Sequence, residues 1–193
     1  EQFVEKQVQT QEFQPTDTDK MILEDEALDY RVLNLAANTF NENNTAYWHK
    51  SVGGYHAAKL RRYQEMIDAY ISKEMSGVFS GLTNAQGDIT KVNGDSIWPV
   101  LNMLNAKYFI LPLQSGQTVP VQNPYTYGNA WFVDKVNYVD NANQEIDMVG
   151  KLNLRHEAVA DKKFVEQLGE SVKQDSTSIV TITSYEPNKL VYD

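Results

Sequence analysis

The chain has 193 residues, of which 41% are hydrophobic and 22% are charged, a composition typical of a globular protein with a buried core. Its formal net charge of −9 argues against a nucleic-acid partner, because phosphate binding needs a basic face. The absence of cysteine excludes disulfides and thiolate metal sites, and no apolar run approaches the roughly 20 residues that span a bilayer.

The first residues of the chain predict an arm followed by a mixed domain. Residues 1–15 are rich in Gln and poor in apolar side chains, so we expect an extended arm or linker that ends at Pro15. Thr16 or Asp17 is a typical N-cap for a helix over residues 20–28. We expect one mixed α/β domain over residues 16–175, and a β-hairpin over residues 176–193 that starts a truncated C-terminal β region.

Three segments predict the strands of a central sheet. Residues 107–113 form a nearly continuous apolar run, and residues 29–35 also predict a strand that is buried on both faces at its centre. A helical segment separates the two, and this order predicts parallel neighbours in a βαβ unit. Residues 129–139 predict a third strand of the same sheet, whereas the Pro-, Gly- and Gln-rich residues 114–128 predict a surface loop.

The longest predicted helix begins near Tyr55 and ends near Met75. Apolar side chains recur there at steps of three and four residues, which places them on one helix face: Leu60, Tyr63, Ile67, Tyr70 or Ile71, and Met75. We expect this face to pack on the central sheet.

Shorter elements complete the predicted fold. They are helices over residues 98–104 and 144–152, a strand over 157–161, a helical turn over 163–168 and a pair of strands over 178–184 and 189–192. The fold class is therefore mixed α/β (α+β): a central mixed sheet with a βαβ unit, helices packed on it and a short C-terminal β-hairpin.

Cations and aromatic rings gather around the start of the longest helix, in a chain that is acidic overall. Backbone N–H groups at a helix start favour an anion, and flat rings suit the apolar face of a sugar. The alternative interpretation is a solvated helix face whose cations offset nearby carboxylates. The candidate ligand-binding residues are Trp48, His49, Lys50, Tyr55, His56, Arg61 and Arg62.

Motifs for catalysis and cofactor binding are missing from the sequence. There is no Gly-rich phosphate loop, no HExxH and no GxSxG. His49 and His56 are seven residues apart with no carboxylate between them, which disfavours a metal site. We therefore predict no catalytic residue, no metal ligand and no cofactor in this chain.

Five segments, in the same order along the chain, resemble the YfhO family of bacterial polytopic membrane proteins, particularly its Bacteroidetes members. They cover nearly the whole chain after Pro15: DYRVLNLAANTFNENNTAYWHKSVGGYHAAKLRRYQEMID (29–68), VLNMLNAKYFIL (100–111), NPYTYGNAWFVDKV (123–136), ADKKF (160–164) and TSYEPNKLVYD (183–193). Proteins of this family are similar to GT-C glycosyltransferases that use lipid-linked sugars, with many membrane helices followed by an extracytoplasmic region.

The resemblance implies an extracytoplasmic (periplasmic) domain at the bacterial cytoplasmic membrane, whose partner is the membrane-spanning remainder of the same polypeptide. Such a domain would be an accessory part that binds the acceptor or donor, a glycan or a lipid-phosphate sugar, in a cell-envelope glycosyltransferase system. The catalytic acid of GT-C enzymes lies near their first membrane helices, so the resemblance assigns no catalytic residue here, and we expect the isolated chain to be inactive.

Two other functions compete with this interpretation. One is a non-enzymatic structural or protein-interaction module of the cell envelope. The other is a stand-alone enzyme such as a glycan hydrolase, which the missing catalytic motifs disfavour.

Overall fold

A computed structural model describes residues 13–169 and 178–193 of the chain. They form a mixed α/β fold, which confirms the predicted class, and the chain divides into two compact units. The first unit comprises Glu1–Ala57 and Ala106–Asn123, and the second comprises Ala58–Asn105 and Pro124–Asp193. Most of the predicted arm (1–15) and the junction near residue 175 lie outside the described residues, so the division into 1–15, 16–175 and 176–193 stays a prediction.

The first unit is built on a three-stranded mixed sheet with the order β1-β2-β3. Strand β1 (Arg31–Asn34) pairs in parallel with β2 (Ala106–Pro112), and β2 pairs antiparallel with β3 (Thr118–Gln122). The successive residues Val32 and Leu33 are both fully buried, so the sheet is covered on both faces at β1, as the sequence predicts. The parallel pairing of β1 and β2 confirms the predicted βαβ order.

Two short helices accompany this sheet. Helix α1 (Asp17–Leu23) begins at a capping box, in which Thr16 accepts a hydrogen bond from the backbone N–H of Asp19 and the Asp19 carboxylate accepts one from the backbone N–H of Thr16. The helix buries Ile22 against β1 and β2. Thr16 is thus the N-cap, as predicted, but the helix starts and ends earlier than residues 20–28. Helix α2 spans Asn44–Trp48.

The prediction of the third strand is wrong. Residues 114–128, predicted as a surface loop, contain β3, which forms the edge of the sheet. The predicted strand over residues 129–139 is shorter, as β4 (Lys135–Val139), and pairs in parallel with β5 (Glu157–Asp161) in a second, two-stranded sheet.

The long helix belongs to the second unit and differs from its predicted bounds at both ends. It comprises α3 (Arg61–Met66), a π-helical turn (Ile67–Ile71) and α4 (Ser72–Asn84), without interruption. Ile67 and Ile71 are buried as predicted, whereas Leu60 is the N-cap residue and is 77% exposed. Within its unit the helix contacts α5 (Gly94–Ile97) and α6 (Pro99–Met103).

Two glycines explain why the helix continues past Met75. A Cβ atom on Gly77 would lie 2.7 Å from Cγ2 of Ile97, and one on Gly81 would lie 2.9 Å from Cγ1 of Val92. Each glycine costs the helix about 1 kcal/mol. The close packing of the segment that follows the helix, which only glycine allows at these two positions, offsets this cost.

The rest of the second unit contains a second βαβ arrangement, which the sequence did not predict as such. Helix α7 (Ala142–Val149) lies between β4 and β5 in the chain, and Asn141 caps it by accepting a hydrogen bond from the backbone N–H of Gln144. A 3-10 turn (Lys162–Phe164) leads into α8 (Val165–Leu168), and a second 3-10 turn lies at Ile89–Lys91. The C-terminal strands β6 (Ile182–Glu186) and β7 (Lys189–Tyr192) form the predicted antiparallel hairpin.

A buried carboxylate joins the long helix to α6. Glu74 accepts hydrogen bonds from the backbone N–H groups of Val100 (3.0 Å) and Leu101 (2.9 Å), at the first turn of α6. These donors have no partner within their own helix, so the side chain acts as a cap supplied by another element. Burial raises the pKa of Glu74 to about 7, although the two backbone hydrogen bonds oppose this shift.

We expect Ile71→Ala to lower the free energy of unfolding by about 2–5 kcal/mol, because it leaves a cavity in the core of the second unit. The matched control is Leu60→Ala, which removes the same kind of side chain from an exposed position and should cost less than about 0.5 kcal/mol. Urea unfolding followed by circular dichroism measures both. Equal effects for the two variants would contradict the burial described.

We expect the stability contributed by Glu74 to be lost as pH rises. A carboxyl whose pKa is raised from 4.5 to about 7 on folding binds its proton more tightly in the folded state. Its contribution is therefore fully present below the unfolded value and falls between that value and about pH 7.

Urea unfolding of the wild type and of Glu74→Gln, at about pH 5.5 and about pH 8, tests this expectation. Relative to the variant, the wild type should lose about 2 kcal/mol over this range, at about 1.4 kcal/mol per pKa unit. If the free energy of unfolding depends on pH in the same way for the two proteins, the pKa of Glu74 is not raised by folding.

Candidate functional site

The seven residues predicted to bind a ligand are divided between the two units. Arg61 and Arg62 open the long helix of the second unit. The other five precede that helix and belong to the first unit, where the first of them ends α2 and the rest follow it: Trp48, His49, Lys50, Tyr55 and His56. Whether these residues bind a ligand stays a prediction.

The segment that follows α2 is fixed to the free edge of the sheet. The backbone N–H of Val32 donates to the carbonyl of Lys50 at 2.8 Å, and the N–H of Val52 donates to the carbonyl of Val32 at 3.0 Å. These bonds form a parallel bridge between Val32 and Ser51. Trp48, at the end of α2, is therefore held close to β1 by local structure.

The cations of the predicted cluster lie beside carboxylates. His49 is buried, and its Nε2 lies 2.9 Å from Oδ1 of Asp19, while the Lys50 ammonium pairs with Asp29. In the second unit, Arg61 lies 2.9 Å from Glu65 and Arg62 lies 3.1 Å from Glu145. The ring of Tyr55 is 57% exposed, and His56 is also exposed.

A cavity of about 290 Å³ lies in the first unit beside Trp48. The residues that line it come from the segment before α1, from α1, from the end of β1, from the loop before α2, from α2 and from strands β2 and β3. They are Phe13, Gln14, Thr16, Asp19, Asn34, Ala37, Glu42, Asn44, Thr45, Trp48, Ile110 and Thr118. Two aromatic rings thus share one concave surface with two carboxylates, three threonine hydroxyls and side-chain amides.

Glu42 lines this cavity, and one of its carboxylate oxygens has no hydrogen-bond partner among the described residues. Its Oε2 accepts a hydrogen bond from the backbone N–H of Thr45 at 3.0 Å, but its buried Oε1 has no partner within the described part of the chain. A buried carboxylate oxygen without a donor costs free energy. A ligand hydroxyl could supply the missing donor once the Glu42 side chain turns this oxygen towards the cavity.

The other polar groups of the cavity are held in place by internal hydrogen bonds. Asp19 accepts from the N–H and hydroxyl of Thr16 with one oxygen and lies against His49 with the other. The Asn34 amide donates to the hydroxyl of Thr45 at 2.9 Å. The site is therefore organised before any ligand arrives.

Aromatic rings form one wall of the cavity and the surface next to it. The ring of Tyr47 lies 5.0 Å from that of Phe13 and 5.0 Å from that of Trp48, and 62% of Tyr47 is exposed. Such a surface can stack on the apolar face of a sugar ring while carboxylates and amides bind its hydroxyls.

The sequence prediction found one residue of this cavity and missed the rest. Trp48 lines it, whereas Asp19 and Glu42 were not among the predicted ligand-binding residues, since nothing in their spacing marks them. The NENN run of residues 41–44 was the one available signal, a polar loop just before a Trp-containing helix.

Comparisons of the chain with protein-family models, curated proteins and solved structures find no match. The resemblance to the YfhO family therefore stays a prediction. Within residues 13–169 and 178–193, no helix combines the length and the apolar character needed to cross a membrane. The same residues contain no group of three or more His, Asp or Glu side chains that could hold a metal ion.

Proposed function

We propose that this chain is a non-catalytic, extracytoplasmic domain of a YfhO-like membrane protein, and that it binds the carbohydrate part of a cell-envelope glycan through the cavity beside Trp48. The observation that carries the proposal is that Trp48 and Glu42, whose buried Oε1 lacks a partner among the described residues, line one cavity of the first unit. The membrane-spanning remainder of the parent protein would carry the chemistry.

The chemical character of the cavity favours a neutral polyhydroxyl ligand over a phosphate. Asp19 and Glu42 both line it, and the lining residues named above include neither Lys nor Arg. A phosphate would meet two carboxylates without a compensating cation, whereas sugar hydroxyls can donate to them. This makes the sugar portion of a glycan the better ligand, and a lipid phosphate the poorer one.

The pairing of the nearby cations supports the same choice. Lys50 and His49 are engaged by Asp29 and Asp19, so an anion would have to displace these carboxylates. The anion-binding role that we predicted for the cluster is therefore not part of the proposal.

We expect neutral oligosaccharides to shift the backbone amide signals of Asn44 and Thr45 in an NMR titration of the 193-residue chain. Gluco-, manno- and N-acetylglucosamine series serve as probes. Trp48→Ala should weaken binding by about two- to tenfold, since a ring contact contributes roughly 0.5–1.5 kcal/mol. Glu42→Gln should weaken it by a similar factor, because it removes a charged acceptor.

Tyr55→Ala is the matched control, since Tyr55 is an exposed aromatic residue of the same unit that does not line the cavity. It should leave the affinity unchanged. Phosphorylated versions of the same sugars should bind more weakly than the neutral ones. Binding that is equal in the wild type and in Trp48→Ala would contradict the proposal, and so would a preference for the phosphorylated sugars that Lys50→Ala abolishes.

The membrane part of the proposal has its own test, which does not depend on the sugar titration. The gene that encodes this chain should also encode a series of membrane-spanning segments upstream of Glu1. A gene without such segments would disprove the YfhO-like assignment and leave the carbohydrate site to be judged separately.

A further inference from the structure

A second cavity, of about 410 Å³, lies within the second unit and has a different character. It is bounded by α3, α6, α7, the strand β5 and the segments before β4 and β5. Its lining is mostly apolar and includes Met66, Met103, Trp131, Val133, Ile146 and Val149. Each of these side chains is only partly buried. Half-exposed apolar residues are ordinary when they are scattered, but here they meet in one concavity of the size that small ligands occupy.

The cavity is held open by specific contacts of its walls. The hydroxyl of Tyr70, in the π-helical turn, donates to the carbonyl of Ile146 at 2.5 Å and accepts from the N–H of Gly150 at 3.1 Å. These bonds tie the long helix to the end of α7. The indole N–H of Trp131 donates to the carbonyl of Leu154 at 3.2 Å, which fixes the ring at the wall.

The charged residues of the lining are compensated by neighbouring groups. Glu145 lies 3.1 Å from Arg62, Glu65 lies 2.9 Å from Arg61, and Glu157 lies 3.7 Å from Lys135. Three carboxylates therefore face three cations, and a ligand of either charge would have to compete with an existing pair. The charges leave no preference for an anion or a cation, while the apolar wall favours hydrocarbon.

We propose that this cavity binds a small, uncharged, hydrocarbon-rich molecule. The two methionines of the lining, Met66 in α3 and Met103 in α6, can adjust their shape to a flexible chain. This inference does not depend on the carbohydrate site, which lies in the first unit and takes the opposite kind of ligand.

The test uses three probes with the same hydrocarbon chain, added to the 193-residue protein at neutral pH: octanol, octylammonium and octanoate. Methyl-labelled methionine reports the binding by NMR. The signals of Met66 and Met103 should move on addition of octanol, whereas that of Met21 should not, since Met21 is an exposed residue of the first unit. Octanol should bind about tenfold more tightly than either charged probe, because an ionic head group cannot enter an apolar site without a partner.

A second test introduces a charged side chain into the apolar wall of the cavity. Val149→Asp should abolish the octanol-induced shifts of Met66 and Met103, and Leu168→Asp, at an exposed position outside the cavity, should leave them unchanged. If Val149→Asp does not fold, the comparison of the three probes on the wild type decides alone. The proposal fails if octanol leaves Met66 and Met103 unshifted, or if a charged probe binds as tightly as octanol.

Discussion

The first unit depends on a four-residue strand that is hydrogen-bonded along both of its edges. Strand β1 pairs with β2 on one side, and on the other side Val32 exchanges two backbone hydrogen bonds with the segment around Ser51. Because β1 is buried on both faces, its backbone groups have no access to water and must find partners at both edges. The same bonds that satisfy this strand bring the end of α2, and with it Trp48, to the cavity.

Elements with a local signal could be predicted from the sequence, and elements that depend on distant contacts could not. The apolar run of β2 and the cap at Thr16 could be predicted because each depends on a few consecutive residues. Strand β3 was missed because it contains Pro120, which is tolerated there since β3 lies at the sheet edge. The extension of the long helix was missed because glycine disfavours a helix. The close approach of Ile97, which explains the glycine at position 77, is visible only in the structure.

The charged partners of the candidate sites could not be predicted from the sequence either. A cluster of cations can be read from the sequence, but the carboxylates that pair with them come from other segments: Asp19 and Asp29 for the first unit, Glu145 for the second. The basic residues of this cluster therefore lie against carboxylates in the folded structure. The two cavities owe their character to residues that no spacing rule connects, such as Glu42 beside Trp48, or Met66 together with Met103.

The division of the chain has a consequence for the order in which the protein can be completed during synthesis. Residues 58–105 lie between β1 and β2, and residues 106–123 interrupt the second unit in turn, so neither unit is continuous. When β1 leaves the ribosome, its parallel partner β2 has not yet been made. The long helix is made after β1 and before β2. Sheets closed by such distant segments form slowly, and their apolar strands stay unpaired meanwhile. A nascent chain that ends before β2 therefore exposes Val32 and Leu33, which makes it a target for chaperones.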